Sequence, residues 1–427
     1  MASPYDTDLD RNPANFQPLT PLTLLERAAA VYPDQTAIIH GTLRRNYREF
    51  YARARRLASA LAKRGIKRGD TVSGVLANTP AMLECHYGVP MTGGVLNTMN
   101  TRLDAAIIAF QLDHGEAKVL ITDREFSRVV KDALALAKVK PLVIDYDDPE
   151  FTGAGERLGS IEYEELLASG DPDFEWPMPD DEWDSIALNY TSGTTGDPKG
   201  AMNTHRNVVF ATSVYKHWIG LDERDTILGL APLFHVTGLI GHVTLAMLTG
   251  APLSLFYRFD ANEALRLAER HQATFTVSAI TAFIALLNSD AMETRDLRSL
   301  TKVYTGGAPT PPGILSDWHA RTGTRIQPMY GLTEATSPTH MTPPGAIPPI
   351  DPHTGAMSVG VPVFTTLAQV VTDAGYDAAP GEIGEFVIAG PQIVPGYWQK
   401  PEETSKALGP DGLRTGDVGF MDEKGWF

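Results

Sequence analysis

Residues 190–200 of the chain read Tyr190-Thr191-Ser192-Gly193-Thr194-Thr195-Gly196-Asp197-Pro198-Lys199-Gly200. Glycines let the backbone turn tightly and bring its N–H groups close to an anion, while the hydroxyls and Lys199 add donors and positive charge. A polyphosphate is the ligand that suits this composition best. The stretch lies between an apolar run at residues 185–188 and a predicted helix starting near Thr204, so we expect a phosphate-binding loop.

The spacing of this loop excludes a P-loop nucleoside triphosphatase. The Walker A pattern has a glycine, four further residues and then Gly-Lys followed by Ser or Thr. Here two residues separate Gly193 from Gly196, and Gly200 follows Lys199. The loop is therefore not a Walker A loop.

Residues 191–200 resemble the signature loop of the adenylate-forming superfamily, which includes acyl-CoA synthetases, firefly-type luciferases and the adenylation domains of nonribosomal peptide synthetases. Three further family motifs follow in the expected order: Gly306-Gly307-Ala308-Pro309, Tyr330-Gly331-Leu332-Thr333-Glu334 and Arg414-Thr415-Gly416-Asp417. The resemblance covers nearly the whole chain and is closest to the acyl-CoA synthetases.

Strand and helix patterns alternate along most of the chain. An apolar stripe at helical spacing predicts a helix that ends at Gly65, and residues 71–76 follow as a buried strand. Asn78 is predicted to cap the next helix, and residues 236–248 are predicted to form one continuous helix. Alternation at this spacing predicts parallel sheets wrapped by helices.

We therefore predict an α/β fold of stacked αβ subdomains with parallel-rich sheets, plus a small C-terminal β-rich subdomain. The first αβ subdomain covers residues 1–180. The second, residues 181–340, carries the phosphate loop and the acyl and nucleotide sites. Pro- and Gly-rich turns with short alternating strands beyond Thr339 indicate the β-rich subdomain, residues 341–427.

Composition restricts the partners and the location. The formal net charge of -16 argues against a nucleic-acid partner, and basic residues between Arg44 and Arg68 alternate with apolar ones, so we expect a solvated helix face there. The single cysteine, Cys85, excludes an intramolecular disulfide. No run approaches the ~20 apolar residues of a membrane span, so we expect a cytoplasmic protein. A homodimer is compatible with the sequence.

The resemblance implies a role for each nucleotide motif. The phosphate-loop residues that would hold the β- and γ-phosphates are Thr191, Ser192, Gly193, Thr194, Thr195, Gly196 and Lys199. The second motif, Gly306, Gly307, Ala308 and Pro309, would let adenine lie close to the backbone.

In the motif Tyr330, Gly331, Leu332, Thr333 and Glu334, the tyrosine ring would lie against adenine, the Thr333 hydroxyl would contact the α-phosphate, and the Glu334 carboxylate would bind Mg²⁺. Asp417 would accept hydrogen bonds from the ribose hydroxyls. Lys199, Thr333, Glu334 and His235 are thus the predicted catalytic residues.

His235 indicates the class of substrate. The segment Ala231-Pro232-Leu233-Phe234-His235-Val236-Thr237-Gly238 resembles the acyl-CoA synthetase and luciferase version of a motif that lines the acyl site. Amino-acid adenylation domains usually carry an aspartate that pairs with the substrate amine, and none is present here, so we expect a plain carboxylic acid. Further pocket candidates, each with core packing as the alternative, are Trp218, Ile240, Ser278, Ala279, Tyr304, Thr305, Gly331 and Thr336.

The resemblance implies an AMP-forming acid–thiol ligase that converts a carboxylate and MgATP to acyl-AMP and pyrophosphate and then transfers the acyl group to coenzyme A. A ligase that loads a carrier protein and a non-catalytic nucleotide-binding module are the alternatives. In the family, a small C-terminal domain bearing a lysine used in adenylation follows the Asp417 motif, whereas this sequence stops at Phe427. We therefore expect this chain to bind nucleotide and acyl-adenylate but to adenylate slowly.

Overall fold

The computed structural model describes residues 5, 7, 9–191 and 197–427. In chain order its α-helices are α1 Leu22–Val31, α2 Tyr47–Ala62, α3 Pro80–Gly88, α4 Ala105–His114, α5 Ser127–Leu136, α6 Tyr163–Ala168, α7 His205–Ile219, α8 Val236–Gly238, α9 Leu245–Thr249, α10 Ala261–Arg270, α11 Ile280–Leu287, α12 Pro312–Thr322 and α13 Pro401–Ala407.

The strands, again in chain order, are β1 Thr36–His40, β2 Leu43–Asn46, β3 Thr71–Val75, β4 Val95–Thr98, β5 Ala117–Asp123, β6 Leu142–Tyr146, β7 Ile161–Glu162, β8 Ser185–Thr191, β9 Lys199–Thr204, β10 Ile227–Leu228, β11 Leu253–Leu255, β12 Phe275–Ala279, β13 Lys302–Gly306, β14 Ile326–Leu332, β15 Ser337–Met341, β16 Val361–Pro362, β17 Leu367–Val371, β18 Gly384–Ala389, β19 Leu408–Gly409 and β20 Gly412–Gly419.

Over the described part of the chain, the strands form two large sheets and one small sheet. The seven-stranded sheet has the order β7-β6-β5-β3-β4-β8-β9, and the nine-stranded sheet has the order β16-β15-β14-β13-β12-β10-β11-β1-β2. Pairing is parallel through the centre of both, with antiparallel strands only at the edges. The small sheet, β17-β18-β20-β19, is antiparallel throughout. The predicted fold class is confirmed.

The two large sheets exchange strands across the predicted boundary at residue 180. The hairpin β1–β2 joins the nine-stranded sheet, because β1 pairs in parallel with β11. Conversely, β8 and β9 complete the seven-stranded sheet through pairing of β8 with β4. The division into 1–180, 181–340 and 341–427 stays a prediction, and sheet membership does not follow it.

The main hydrophobic core includes residues from strands of both large sheets and from helices α1, α2, α3 and α7. The stripe of α2 that includes Phe50, Ala54 and Leu57 is fully buried, and α2 packs against α1 and α3. Asn46 and Glu49 form a capping box at the start of α2, each side chain accepting a hydrogen bond from the backbone N–H of the other. This local start signal and the apolar stripe explain why the sequence forms this helix.

The predicted helix over residues 236–248 is interrupted. Residues 236–238 and 245–249 are α-helical, whereas Leu239–Thr244 is a π-helix. Two contacts accompany the wider turn: the Thr244 hydroxyl donates to the Leu239 carbonyl oxygen at 3.1 Å, and Gly241 lies so close to Val277 that a Cβ would meet its Cγ1 at 2.6 Å.

The basic cluster between Arg44 and Arg68 is not uniformly solvated, contrary to the prediction. Arg45 and Arg53 both donate to the carboxylate of Glu84 on α3, at 2.6 Å in each case, and Glu84 is completely buried. Tyr163 adds a hydroxyl donor to the same carboxylate at 2.8 Å. The charge of Glu84 explains why two guanidinium groups turn inward.

Among the described residues, no helix is long and apolar enough to cross a lipid bilayer.

Candidate active site

A cavity of about 760 Å³ lies where the carboxyl ends of strands from both large sheets meet. This edge is where ligands bind in open parallel sheets. The predicted residues that line it are Thr191, His235, Ser278, Ala279, Gly306, Gly307, Gly331, Leu332, Thr333 and Glu334. Four separate sequence motifs therefore contribute to one cavity.

The phosphate loop is described only at its ends. Strands β8 and β9 pair antiparallel, with Tyr190 opposite Gly200 and Thr191 opposite Lys199. The strand at Lys199–Thr204 was not predicted. The helix that follows begins at His205, close to the predicted start near Thr204, and the Thr204 hydroxyl caps it. The predicted phosphate-binding residues that lie outside the described part of the chain are Ser192, Gly193, Thr194, Thr195 and Gly196.

Several predicted pocket residues pack in the core and do not line the cavity. The indole N–H of Trp218 donates to the Thr342 carbonyl oxygen at 3.0 Å. The Thr305 and Thr336 hydroxyls, both fully buried, donate to backbone carbonyls at 3.0 and 2.8 Å. Ile240 is fully buried in the π-helix, and Tyr304 is buried in the same core. None of these five residues lines the cavity.

Glycines form one wall of the cavity. Gly307 has φ +80° and no atom lies within 4 Å of the position of a Cβ, so its backbone faces open space. Gly331 could carry no side chain, because a Cβ would meet the Ser337 carbonyl oxygen at 1.7 Å. A backbone wall without side chains suits a flat ring. Ala308 and Pro309 follow Gly307 at the surface and do not line the cavity.

Tyr330 and Asp417, which come from motifs far apart in sequence, are joined by a hydrogen bond. The Tyr330 hydroxyl donates to Oδ2 of Asp417 at 2.6 Å. Burial raises the pKa of Tyr330, and the Asp417 carboxylate raises it further, so the hydroxyl keeps its proton. Neither side chain lines the cavity itself. The pair ties the small C-terminal sheet to the nucleotide motif on β14.

Lys199 and Glu334 are both in contact with Tyr397, a residue that the sequence reasoning missed. The Lys199 ammonium lies 4.5 Å from the centroid of the Tyr397 ring. The Tyr397 hydroxyl donates to Oε1 of Glu334 at 2.6 Å. The only sequence signal was an aromatic residue directly after Gly396 in a turn-rich segment. Tyr397 therefore links the phosphate loop to the predicted metal ligand.

Asn78 binds the segment that carries His235. Its Nδ2 donates to the carbonyl oxygens of Gly229 and Ala231 at 3.3 and 3.1 Å, and its Oδ1 accepts from the Leu233 N–H at 2.9 Å. The predicted role of Asn78 as a helix cap is wrong, because the hydroxyl of Thr79 caps α3. Because Thr79 caps the helix, the Asn78 amide is free to bind the backbone of the segment that precedes His235.

Two further side chains hold the same segment. The Thr98 hydroxyl donates to the Phe234 carbonyl oxygen at 2.7 Å. Nε2 of His86 lies 3.0 Å from the Leu233 carbonyl oxygen, so this nitrogen carries the proton and donates. Burial lowers the pKa of His86 to about 4, which keeps the ring neutral. The main chain before His235 is thus fixed by the neighbouring sheet.

His235 exposes its ring to the cavity and not to the core. Its Nδ1 accepts a hydrogen bond from the Thr237 N–H at 3.2 Å. Although the ring is solvent-accessible, the surrounding protein desolvates it and lowers its pKa, so a neutral imidazole faces the cavity near pH 7. A neutral ring can lie beside a carboxylate substrate without adding a charge.

Replacing Asn78 with alanine is expected to loosen the His235 segment. The substitution leaves two carbonyls and one N–H without their partner, and losing such bonds costs about 1–3 kcal/mol. The free energy of unfolding, measured by urea denaturation, should fall by that amount. Asn262→Ala is the control, since Asn262 is exposed and its Oδ1 accepts only the Ser289 hydroxyl at 2.6 Å. Equal stability of Asn78→Ala and Asn262→Ala would contradict the role of Asn78.

Comparisons with known proteins agree with this geometry. The AMP-binding enzyme family matches residues 25–398. The chain is 35% identical to the peroxisomal acetate/butyrate–CoA ligase of Arabidopsis thaliana, covering 96% of this chain and 75% of that protein. It is 34% identical to the 2-methylpropanoate–CoA ligase of Humulus lupulus, covering 98% of this chain and 77% of that protein.

A solved structure shows the same fold. The crystal structure of an anthranilate CoA ligase in complex with anthranoyl-AMP superposes with a TM-score of 0.89 at 24% identity, covering 98% of this chain and 78% of that one. This shared fold, the family match over residues 25–398 and the four motifs that meet at the cavity all agree. This chain therefore belongs to the AMP-binding enzyme family.

Proposed function

We propose that this chain is the nucleotide- and acyl-binding part of an AMP-forming acid–thiol ligase, an acyl-CoA synthetase. A carboxylate oxygen of the acid bonds to the α-phosphorus of ATP while the bond to pyrophosphate breaks, giving acyl-AMP. The sulfur of the coenzyme A thiolate then bonds to the acyl carbon and AMP leaves. The observation that carries the proposal is the meeting of Gly307, Thr333, Glu334 and His235 at one cavity.

The cavity residues suit a nucleotide at one end. The backbone at Gly306 and Gly307 leaves room for a flat base, as the open space at the Gly307 Cβ position indicates. Thr333 and Glu334 lie beside it on the turn after β14. Lys199, at the start of β9, supplies the positive charge that developing negative charge on phosphate oxygens needs. These residues support binding of ATP.

The donor set is also compatible with magnesium. Among the described residues, no group of three or more His, Cys, Asp or Glu side chains is placed to hold a metal ion. Mg²⁺ does not need such a group, because proteins bind it through one or two carboxylates together with substrate phosphates and water. Glu334 supplies one carboxylate at the cavity. Bound there with ATP, Mg²⁺ would neutralise charge on the phosphates.

The acid itself is proposed to lie near His235. Apolar side chains surround that part of the cavity, among them Phe234, Val236 and Val277. The neutral ring of His235 and the apolar lining favour an acid without an amine. Relatives are named for acetate, butyrate and 2-methylpropanoate. These names support a plain carboxylic acid as the substrate.

The location and the oligomeric state stay predictions. We propose a cytoplasmic enzyme, although the Arabidopsis thaliana relative is named as peroxisomal. A homodimer is compatible with the sequence and stays a prediction. Size-exclusion chromatography with light scattering tests the second proposal, which fails if the chain elutes with its monomer mass of 46.4 kDa at all concentrations.

Ligand-induced stabilisation tests the proposed function directly. Non-hydrolysable acyl-adenylate mimics with short branched, medium-chain and aromatic acyl groups are added to this chain, and the melting temperature is followed. A mimic present at about 100 times its dissociation constant should add about 2.7 kcal/mol of stability. The best mimic should name the class of acid.

Guanosine versions of the same mimics are the control. They carry the same acyl group and phosphorus linkage, so a specific adenine site should discriminate against them. If neither the adenylate mimics nor MgATP raise the melting temperature, the proposed function is wrong. Equal stabilisation by adenosine and guanosine mimics would show that the site is not selective for adenine.

A further inference from the structure

Tyr397 contacts two groups of opposite charge, and one of them, Glu334, lines the cavity. Its hydroxyl donates to Oε1 of Glu334 at 2.6 Å, and its ring faces the Lys199 ammonium at 4.5 Å. The side chain is only 6% exposed. Tyr397 therefore has a polar contact with one charged residue and an aromatic contact with the other.

The backbone around Tyr397 is fixed from two sides. The N–H of Trp398 donates to the Gly200 carbonyl oxygen at 2.8 Å, and the N–H of Met202 donates to the Gly396 carbonyl oxygen at 3.1 Å. The N–H of Val394 donates to the Glu334 carbonyl oxygen at 2.9 Å. The segment 394–398 is therefore attached both to β9, which Lys199 begins, and to the turn that carries Glu334.

In the described part of the chain, Lys199 and Glu334 form no ion pair with each other, and each has its contact with Tyr397 instead. A direct pair would satisfy the ammonium and the carboxylate with each other. Neither group would then be free for a phosphate or a metal ion.

We propose that Tyr397 is a positioning residue that orients the Glu334 carboxylate for Mg²⁺ and holds the Lys199 ammonium available for phosphate. This inference rests on the proposed function, since the Mg²⁺ ion and the phosphate both belong to MgATP. In this role Tyr397 contacts neither the Mg²⁺ ion nor the phosphate. It acts through the hydroxyl on Glu334 and through the ring against Lys199.

Two substitutions separate the hydroxyl from the ring. Tyr397→Phe keeps the ring and removes the hydrogen bond to Glu334, whereas Tyr397→Leu removes both. ATP affinity is measured by isothermal titration calorimetry on this chain with and without Mg²⁺. Tyr397→Phe should reduce the gain in affinity that Mg²⁺ provides by about three- to tenfold, the effect of one hydrogen bond, and leave metal-free binding unchanged. Tyr397→Leu should also weaken metal-free binding by about threefold or more.

A second substitution distinguishes a new Lys199–Glu334 ion pair from a general loss of packing in Tyr397→Leu. If Lys199 pairs with Glu334 once the ring is gone, adding Glu334→Gln to Tyr397→Leu should restore the affinity for metal-free ATP. A protein that has only lost packing would not recover. Tyr376→Phe is the matched control, because the Tyr376 hydroxyl donates to Oε1 of Glu382 at 2.9 Å in an exposed hairpin that does not line the cavity. It should bind ATP like the wild-type chain.

Each result has one meaning. An unchanged Mg²⁺ gain in Tyr397→Phe, or no recovery of metal-free binding in the double variant, would overturn the positioning role while wild-type MgATP binding still supports the ligase. A wild-type chain that binds no MgATP would refute the proposed function itself. A selective loss of the Mg²⁺ gain in Tyr397→Phe, with recovery in the double variant, would establish the role.

Discussion

Gly307→Val is expected to weaken ATP binding by about 100-fold. The Cβ and its methyl groups would occupy the open space in front of Gly307, where the proposed base lies. Overpacking of a preformed site costs about 1–3 kcal/mol, and the upper end of that range corresponds to roughly 100-fold in affinity. Calorimetric titration of the variant with MgATP measures the effect.

A matched control separates the blocked site from backbone strain. Gly307 has φ +80°, so a valine there also strains the main chain by about 1–3 kcal/mol. Gly375 has φ +82° and likewise no atom within 4 Å of a Cβ, but it lies in the turn between β17 and β18, away from the cavity. Gly375→Val should lose similar stability and keep its ATP affinity. If both variants bind ATP normally, the base does not lie against Gly307.

Glu84→Gln is expected to lower the free energy of unfolding by about 3–5 kcal/mol, the usual cost of breaking a buried ion pair from one side. Arg45 and Arg53 are only 16% and 19% exposed and direct their guanidinium groups at this carboxylate. A glutamine has nearly the same shape but no charge. Its NH₂ group would also face the guanidinium N–H groups of Arg45 and Arg53, which are themselves donors. Urea denaturation followed by circular dichroism measures the loss.

Glu164→Gln provides the comparison within the same network. Glu164 also accepts two hydrogen bonds from Arg53, at 2.9 and 2.6 Å, but its side chain is 51% exposed. Burial alone would lower the pKa of Arg53, whereas Glu84 and Glu164 together raise it. Exposed pairs contribute about 0–1 kcal/mol, so Glu164→Gln should be nearly neutral. Equal losses for the two variants would show that burial of Glu84 does not set the cost.

The order of the motifs along the chain was sufficient to identify the family and the fold class. Short segments such as residues 190–200 and Tyr330–Glu334 bind ligand groups through their own backbone and side chains, so their chemistry is visible locally. The alternation of strands and helices predicts parallel sheets for the same reason, because periodicity is a local property. Family membership then confirmed what these local patterns indicated.

Local patterns failed where the partner came from a distant part of the chain. Arg53 belongs to the cluster that was predicted to face solvent. Its guanidinium turns inward instead, because the buried carboxylate of Glu84 lies on another helix. Asn78 has the composition of a helix cap, but a loop more than a hundred residues away in sequence takes its amide. Trp218 and Thr336 were predicted to line the pocket, but their side chains donate hydrogen bonds to backbone carbonyls and do not line the cavity.

The sequence by itself determined the family, the fold class and the identity of the nucleotide motifs, because each depends on residues close together in the chain. The tertiary structure decided which side chains meet: that β1 and β2 join the second sheet, that the segment before His235 is held by the first, and that Tyr397 lies between Lys199 and Glu334. These contacts depend on the three-dimensional approach of segments that are far apart in the chain. The packing of whole helices and strands brings these segments together, and the spacing of residues in the sequence does not show it.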